Sequence, residues 1–275
     1  MIFLFMKLTF LGTGGGRFTT IFQKRNTGGI RLDNEKNHIH LDPGPGALLL
    51  SKRNGLDPKK LNSLILTHSH PDHYNDLEVL IEAMTKGGTQ KTGKVLTSES
   101  GIKKMDEYGP TLSDYHKDLP REIISLNNNS KIPLKDQSKV IPVPAKHSDP
   151  STRGLILETK KGNIGFTSDT EYFEELGQIF SDTRLLIMNV TRPKAASIPY
   201  HLSTDDAIQL LEEVDPEVSV ITHFGMKMLN QGVEEQVKII REETNQKCIA
   251  AEDGMKIEFD RTINFQDKQD KLTNY

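Results

Sequence analysis

Short apolar segments alternate with amphipathic ones along most of the chain, and the apolar segments keep ending in glycine, histidine or aspartate. This pattern is typical of buried strands that deliver loops to one edge of a sheet. We predict strands near 7–11, 28–33, 38–42, 63–67, 93–97, 139–144, 153–159, 163–167, 184–190, 217–222 and 255–259. Helical spacing of apolar residues predicts helices at 45–53, 75–86, 171–180, 204–213 and 233–245. Many strands with interspersed helices indicate a layered α/β fold.

The helix predicted at 204–213 carries a start signal. Ser203 precedes it and is expected to cap its first turn. Asp205 and Asp206 then place negative charge at the positive end of the helix dipole.

The length of 275 residues allows one large domain or two small ones. No stretch has the composition of an interdomain linker, so we expect a single domain over 6–265. Residues 1–5 are interpreted as an upstream extension of a chain that could begin at Met6, and 266–275 as a polar tail.

Charge and cysteine content narrow the class of protein. Lys and Arg number 35 against 38 Asp and Glu, a net charge of −3, which argues against a constitutively polybasic binder of nucleic acid or membranes. The single cysteine, Cys248, cannot form an internal disulfide, so a cytoplasmic protein is expected. No apolar run approaches the length of a membrane span, and the start lacks the features of a signal peptide.

The densest chemical signal is a loop that follows the apolar strand Leu64–Leu66. It carries His68, His70, Asp72 and His73. Imidazole nitrogen and carboxylate oxygen are ligands that Zn²⁺ and related cations prefer, and burying such a group without a metal is costly. The loop therefore predicts a metal site.

Three further polar residues follow apolar strands in the same way. These are His147 after 139–144, Asp169 after 163–167, and His223 after 217–222. Together with the first loop they supply seven candidate ligands, enough for two ions. A metal-binding structural or sensing protein is the alternative, which the open and cysteine-free ligand set disfavours.

The pattern His-x-His-x-Asp-His, followed by a distant His, Asp and His at strand ends, resembles the metallo-β-lactamase superfamily. The resemblance extends from the strand ending in Gly12-Thr13-Gly14 to the last predicted strand. It implies a four-layer αββα sandwich, in which two mixed sheets face each other, helices lie outside, and metals sit at one edge.

The same resemblance implies roles for individual residues. His68, His70 and His147 would hold the first of two divalent ions, zinc first and manganese or iron as alternatives. Asp72, which is also assigned a catalytic role, would hold the second ion with His73 and His223. Asp169 would bridge the two ions. Asp42 resembles an aspartate that orients ligating histidines, although a turn former before Pro43-Gly44 is the other interpretation.

A histidine that leads into Ser-Thr and a helix, as His201 does, resembles the ribonuclease Z and phosphodiesterase branch. There the histidine lies near the substrate phosphate without binding metal; the alternative is a surface histidine at a helix start. We therefore predict a dinuclear hydrolase in which a hydroxide shared by the metals attacks a phosphodiester, with Asp72 and His201 as catalytic residues.

The chain departs from that branch in ways that bear on the substrate. Asn189 stands where the branch usually has a glutamate, and no long basic insertion could form an arm that grips tRNA. A smaller phosphodiester is therefore expected: an RNA end, a cyclic nucleotide or a phosphorylated metabolite. Hydrolysis of a carboxylic ester, lactone or thioester is the alternative. No membrane partner is expected, and a homodimer is left open.

Overall fold

The computed structural model describes residues 5–128 and 130–266. Its strands are β1 (Met6–Phe10), β2 (Ile30–Asp33), β3 (His38–Leu41), β4 (Ser63–Leu66), β5 (Lys94–Thr97), β6 (Glu122–Ser125), β7 (Ile132–Pro133), β8 (Lys139–Pro144), β9 (Arg153–Thr159), β10 (Gly162–Phe166), β11 (Thr183–Arg192), β12 (Leu202–Ser203), β13 (Val218–Thr222), β14 (Cys248–Ala250), β15 (Lys256–Phe259) and β16 (Ile263–Gln266).

The helices are α1 (Gly16–Phe22), α2 (Ala47–Arg53), α3 (Pro71–Tyr74), α4 (Leu77–Met84), α5 (Glu99–Ile102), α6 (Asp114–Asp118), α7 (Leu176–Phe180), α8 (Thr204–Val214), α9 (Met226–Gln231) and α10 (Val233–Thr244), with a 3-10 turn at Pro58–Lys60. Within the described part of the chain, no helix is long and apolar enough to cross a bilayer.

The strands form two mixed sheets. The first has the order β16-β15-β1-β2-β3-β4-β5-β6, antiparallel up to β3 and parallel from β3 onwards. The second has the order β14-β13-β11-β10-β9-β8-β7, with β12 paired to β11. Its strands β10, β11, β13 and β14 are parallel to one another. Loops that follow parallel strands leave the sheet at the same edge.

The main hydrophobic core lies between the two sheets. Leu8 and Leu32 of the first sheet belong to the same buried cluster as Ile187 and Val220 of the second. Two outer clusters cover the other faces: Leu64 and the helix α4 on the first sheet, and Leu186 with α7, α8 and α10 on the second. The resulting order is helix, sheet, sheet, helix, so the predicted four-layer αββα sandwich is confirmed.

The predicted strands and helices correspond closely to the structure, with one correction. The eleven predicted strands all form. The strands β6, β7, β12, β14 and β16 and the short helices α1, α3, α5, α6 and α9 were not predicted. The helix predicted at 171–180 is wrong in its first half, because only Leu176–Phe180 is helical. The backbone N–H of Glu171 instead donates to the carbonyl oxygen of Lys146 at 2.9 Å, which ties that segment to the neighbouring loop.

The predicted start of α8 is confirmed in detail. The hydroxyl of Ser203 accepts from the backbone N–H of Asp206, and a carboxylate oxygen of Asp206 accepts from the backbone N–H of Ser203 at 2.7 Å. This reciprocal capping box fixes where the helix begins. It also fixes the end of the short segment that carries His201.

The predicted terminal segments fall largely outside the described residues. Residues 1–4 of the predicted extension and 267–275 of the predicted tail are not described. The prediction of a single domain over 6–265 stays a prediction.

Candidate metal centre

Loops from both sheets meet at the edge where the parallel strands end. The loop after β4 carries His68, His70, Asp72 and His73 from the first sheet. The second sheet supplies the other three predicted ligands after β8, β10 and β13, namely His147, Asp169 and His223. The structure thus brings all seven predicted residues together, as the alignment of their strands requires.

Three imidazoles converge in the first half of the centre. Nδ1 of His70 lies 3.1 Å from Nε2 of His68 and 3.0 Å from Nε2 of His147. With Asp169, these residues form a group whose ligand atoms all lie within 4.8 Å of one another.

The second half contains two imidazoles and a carboxylate. Nε2 of His73 lies 3.0 Å from Nε2 of His223, and Oδ2 of Asp72 lies 3.3 Å from the latter atom. These three residues form another group of potential ligands with the same spacing limit of 4.8 Å. The two groups match the two ligand sets implied by the resemblance.

Asp169 lies between the two groups. Its Oδ2 is 3.9 Å from Nε2 of both His68 and His147 in the first group, and 3.6 Å from Nε2 of His73 in the second. Its Oδ1 is 3.3 Å from Nε2 of His223. One carboxylate therefore reaches both halves of the centre.

The outward nitrogen of three imidazoles is bonded to the surrounding protein. Nδ1 of His73 lies 3.0 Å from Oδ2 of Asp42, that of His223 lies 3.0 Å from the hydroxyl of Thr191, and that of His147 lies 2.8 Å from a backbone carbonyl. A proton on each Nδ1 leaves the lone pair of Nε2 facing the centre, the arrangement that metal-binding histidines adopt.

Asp42 reaches both halves of the centre. It bonds His73 directly, and it accepts both the backbone N–H and the hydroxyl of Thr67, at 2.8 and 2.7 Å. The Thr67 oxygen lies 3.1 Å from Nδ1 of His68. The sequence indicated only that Asp42 could orient ligating histidines in general. In the structure Asp42 contacts His73 and is linked to His68 through the hydroxyl of Thr67.

The electrostatics of the centre favour a bound cation. Burial lowers the pKa of His70, and lowers that of His147 to about 4, so both imidazoles are neutral with a lone pair available. Burial alone would lower the pKa of His73, but the carboxylates of Asp169 and Asp72 raise it well above its ordinary value. The negative charge that holds a proton on His73 is the charge that would attract a divalent ion.

The spacing of the nitrogens also fits a metal. Two nitrogen ligands at about 2.0–2.1 Å from a tetrahedral zinc ion lie about 3.3 Å apart. The N···N separation is 3.1 Å for the pair His68 and His70, 3.0 Å for His70 and His147, and 3.0 Å for His73 and His223. The imidazole nitrogens in each half of the centre are therefore already close to the separation that a shared cation would require.

The loop after β1 closes one side of the centre. The backbone N–H of Gly16 donates to Oδ2 of Asp72 at 2.6 Å. Gly15 lies so close to His223 that a Cβ atom there would collide with the imidazole ring. The segment after Gly12-Thr13-Gly14 thus brings two glycines to the centre. Gly15 leaves no room for a side chain beside His223, and Gly16 has a φ of +74° and bonds to Asp72 through its backbone.

Several residues of the centre have left-handed backbone, which is costly for any residue other than glycine. The φ angles are +49° at Asp42, +57° at Ser168, +62° at His223 and +68° at Tyr200. Such conformations persist only where the surroundings enforce them, and they cluster at functional sites.

His201 lies at the mouth of the centre. Its Nδ1 is 3.2 Å from the carbonyl oxygen of Pro199, and its Nε2 is 3.6 Å from Oδ2 of Asp169. Its ring centroid lies 5.0 Å from that of His147. The side chain is partly exposed, so a substrate can reach it.

Two polar residues that hold the centre together have roles not apparent from the sequence. Asn189 donates from Nδ2 to Oδ1 of Asp169 at 2.7 Å. Asp149, fully buried, accepts from the backbone N–H groups of Ser69 and Ser151 and from the hydroxyl of Ser100. Asp149 therefore links the loop of His68 and His70 to the loop that carries His147.

Comparison with known proteins identifies the family. Residues 37–224, more than half of the chain, match the model of the beta-lactamase superfamily domain. This segment contains all seven predicted ligands, Asp42 and His201.

Two relatives and one solved structure are similar to most of the chain. An uncharacterised protein of Methanocaldococcus jannaschii is 38% identical, over 92% of this chain and 95% of that protein. A ribonuclease Z of Borrelia duttonii is 23% identical, over 91% of this chain and 96% of that protein. The metallo-beta-lactamase fold protein YhfI from Bacillus subtilis superimposes with a TM-score of 0.76 at 18% identity, over 92% of this chain and 99% of that chain.

Proposed function

The chain belongs to the beta-lactamase superfamily and is a metal-dependent hydrolase, and we propose that it cleaves phosphodiesters at a centre of two divalent cations. The observation that carries the dinuclear proposal is the position of Asp169, whose two oxygens lie 3.3–3.9 Å from imidazole nitrogens of both ligand groups. His68, His70 and His147 would hold one ion, and Asp72, His73 and His223 the other. We propose zinc, with manganese and iron as alternatives.

Two such ions, when bound, would supply Lewis acidity and a nucleophilic water of lowered pKa. The protein's own residues set the geometry. Asp42 holds His73 directly and His68 through Thr67, and Asn189 holds Asp169. Asp72 is held in turn by the backbone N–H of Gly16. These bonds keep the ligands in one arrangement, so little reorganisation is needed during the reaction.

His201 is the proposed catalytic residue beside the substrate. Its position supports this role, because Nε2 points towards the centre while Nδ1 faces a backbone carbonyl. A protonated Nε2 can donate to a phosphoryl oxygen as negative charge develops on it, or to the leaving oxygen. Carboxylic ester hydrolysis develops less charge and has less need of this donor.

The substrate class rests on the ribonuclease Z relative and on His201. We propose a small phosphodiester, such as an RNA end, a cyclic nucleotide or a phosphorylated metabolite. The basic segment 86–94 is too short for a tRNA-gripping arm: its residues 86–91 are exposed, and β5 already begins at Lys94. A cytoplasmic location stays a prediction from the sequence, which leaves a homodimer open.

The test compares His201→Ala with wild type after loading both with zinc. We expect the variant to keep two metals per chain by mass spectrometry while hydrolysis of bis-p-nitrophenyl phosphate slows at least about tenfold. His116→Ala is the matched control, since that histidine pairs with Glu78 and Glu82 on the surface and should leave the rate unchanged. An unchanged rate in His201→Ala would refute its role, and turnover of p-nitrophenyl esters alone would favour an esterase.

A further inference from the structure

Two loops flank the centre, and each presents a tyrosine beside a proposed metal ligand. The ring of Tyr108 lies edge-on to that of His70, with centroids 5.3 Å apart. The ring of Tyr200 lies edge-on to that of His147, at 6.3 Å. Because His70 and His147 are themselves in contact, the two tyrosines border the same part of the centre.

Tyr200 is held in place through its backbone while its ring remains exposed. Its N–H donates to a carboxylate oxygen of Glu171 at 3.0 Å, and its carbonyl oxygen accepts from Nδ1 of His147. Its backbone is left-handed, yet 45% of the residue is accessible to solvent. A strained backbone that presents a large aromatic ring to solvent, next to His201, is expected where the ring contacts a ligand.

Tyr108 is held in place by backbone hydrogen bonds within its own loop. Reciprocal backbone hydrogen bonds of 2.8 Å join it to Met105, which closes a tight loop. The ring is half-buried against His70, so it forms a wall of the site that needs no rearrangement.

The rings of Tyr108 and Tyr200 favour one kind of substituent on a bound phosphodiester. A phosphodiester group gains nothing from a tyrosine face, whereas a flat ring attached to it can stack there. Base–aromatic stacking tolerates any base, because every base has a π face. Alkyl and sugar substituents do not stack in this way.

We propose that Tyr108 and Tyr200 are specificity-determining residues that form an aromatic clamp and select phosphodiesters carrying a nucleobase. The proposal rests on the proposed phosphodiesterase function and adds residues and a substrate preference to it. Stacking acts on the bound substrate before and during reaction, so the clamp should lower KM more than it raises kcat.

Three substrates with the same leaving group test the clamp. They are the p-nitrophenyl ester of thymidine 5′-monophosphate, the corresponding abasic deoxyribose ester, and methyl p-nitrophenyl phosphate. The first two differ only in the base, and the p-nitrophenyl ring is common to all three, so the comparison of the first two isolates the contribution of the base. The third shows whether a phosphodiester is hydrolysed at all. For wild type, we expect kcat/KM for the thymidine ester to exceed that for the abasic ester by about tenfold or more.

Variants assign that preference to the tyrosines. Tyr200→Ala and Tyr108→Ala should each reduce the ratio of kcat/KM for the thymidine ester to that for the abasic ester at least about threefold, mainly through KM for the thymidine ester. Tyr200→Phe should restore the preference, because the ring and not the hydroxyl stacks. Tyr115→Ala is the matched control, since that tyrosine is 61% exposed on α6 and should leave all three rates unchanged.

The outcomes separate this proposal from the function on which it rests. Hydrolysis of the methyl ester without any preference for the base would overturn the clamp and leave the phosphodiesterase intact. A preference that survives both alanine variants would also overturn it. Failure to hydrolyse any of the three esters would overturn the proposed function and the clamp together.

Discussion

At the scale of single residues, the centre depends on how each imidazole is oriented. The first ligand candidates could be predicted because three histidines and an aspartate fall within six residues after a buried strand. The residues that hold the ligands and their loops through hydrogen bonds could not be predicted. Thr67, Thr191 and Asp149 are ordinary polar residues, and their bonding partners include residues that are distant in sequence. His147 bonds to a backbone carbonyl oxygen, and such a partner cannot be identified from any side chain in the sequence.

Asp169 gives the sharpest prediction at this scale. Replacing it with alanine or asparagine removes the carboxylate that reaches both ligand groups, so both variants should lose at least one of two bound metals and nearly all activity. Metal content by mass spectrometry measures this directly. Asp169→Asn keeps the side-chain volume, which separates loss of charge from misfolding.

The control for this experiment is Asp260→Ala. That carboxylate pairs with Lys161 outside the centre, so the variant should bind as much metal as wild type. Retention of two metals by Asp169→Asn would refute the bridging role.

At the scale of helices and strands, most of the pattern could be predicted from hydrophobic periodicity. The short pieces could not: β7 and β12 each contain two residues, too few for a period to appear. The helix predicted at 171–180 was wrong in its first half because the bond from Glu171 to Lys146 is tertiary and cannot be read from local sequence.

Strand β3 carries a buried histidine that makes the fold sensitive to acid. His40 is fully buried, with Nε2 bonded to the carbonyl oxygen of Gly28 at 2.7 Å. Burial, aided by the nearby charge of Arg31, lowers its pKa to about 3. The unfolded chain binds a proton at this residue below about pH 6.5, which the folded protein does not bind until about pH 3.

The difference between the folded and unfolded pKa of His40 determines how the stability of the protein changes with pH. The stability contributed by neutral His40 is present above about pH 6.5 and is lost as the pH falls towards 3, about 2 kcal/mol between pH 7 and pH 5. Urea unfolding of metal-free wild type and of His40→Gln at both pH values measures the part of the pH dependence that is due to His40. The variant lacks this part, while its other groups titrate as in wild type. An equal loss of stability in the two proteins would contradict the assignment.

At the scale of the whole molecule, the centre joins the two sheets. The first sheet supplies His68, His70, Asp72 and His73, and the second supplies His147, Asp169 and His223. The sandwich could be predicted because the spacing of these residues resembles a known family. The positions of Tyr108 and Tyr200 beside His70 and His147 could not be predicted, since these contacts join residues that are distant in sequence.

This arrangement has a consequence for metal binding. Each proposed ion takes ligands from both sheets when Asp169 and His223 are included, so neither ion has a complete site on one sheet alone. The ions should therefore bind to the folded protein and contribute to the stability of the sandwich. Activity should depend on both ions being present.

The most direct test of the account is a titration of metal-free protein with zinc, in which bound metal and hydrolysis of methyl p-nitrophenyl phosphate are followed together. We predict that the rate stays low with one ion per chain and reaches its maximum when two are bound. Full activity with one ion per chain would contradict the dinuclear centre. A protein that binds two ions and leaves every phosphodiester intact would contradict the proposed function.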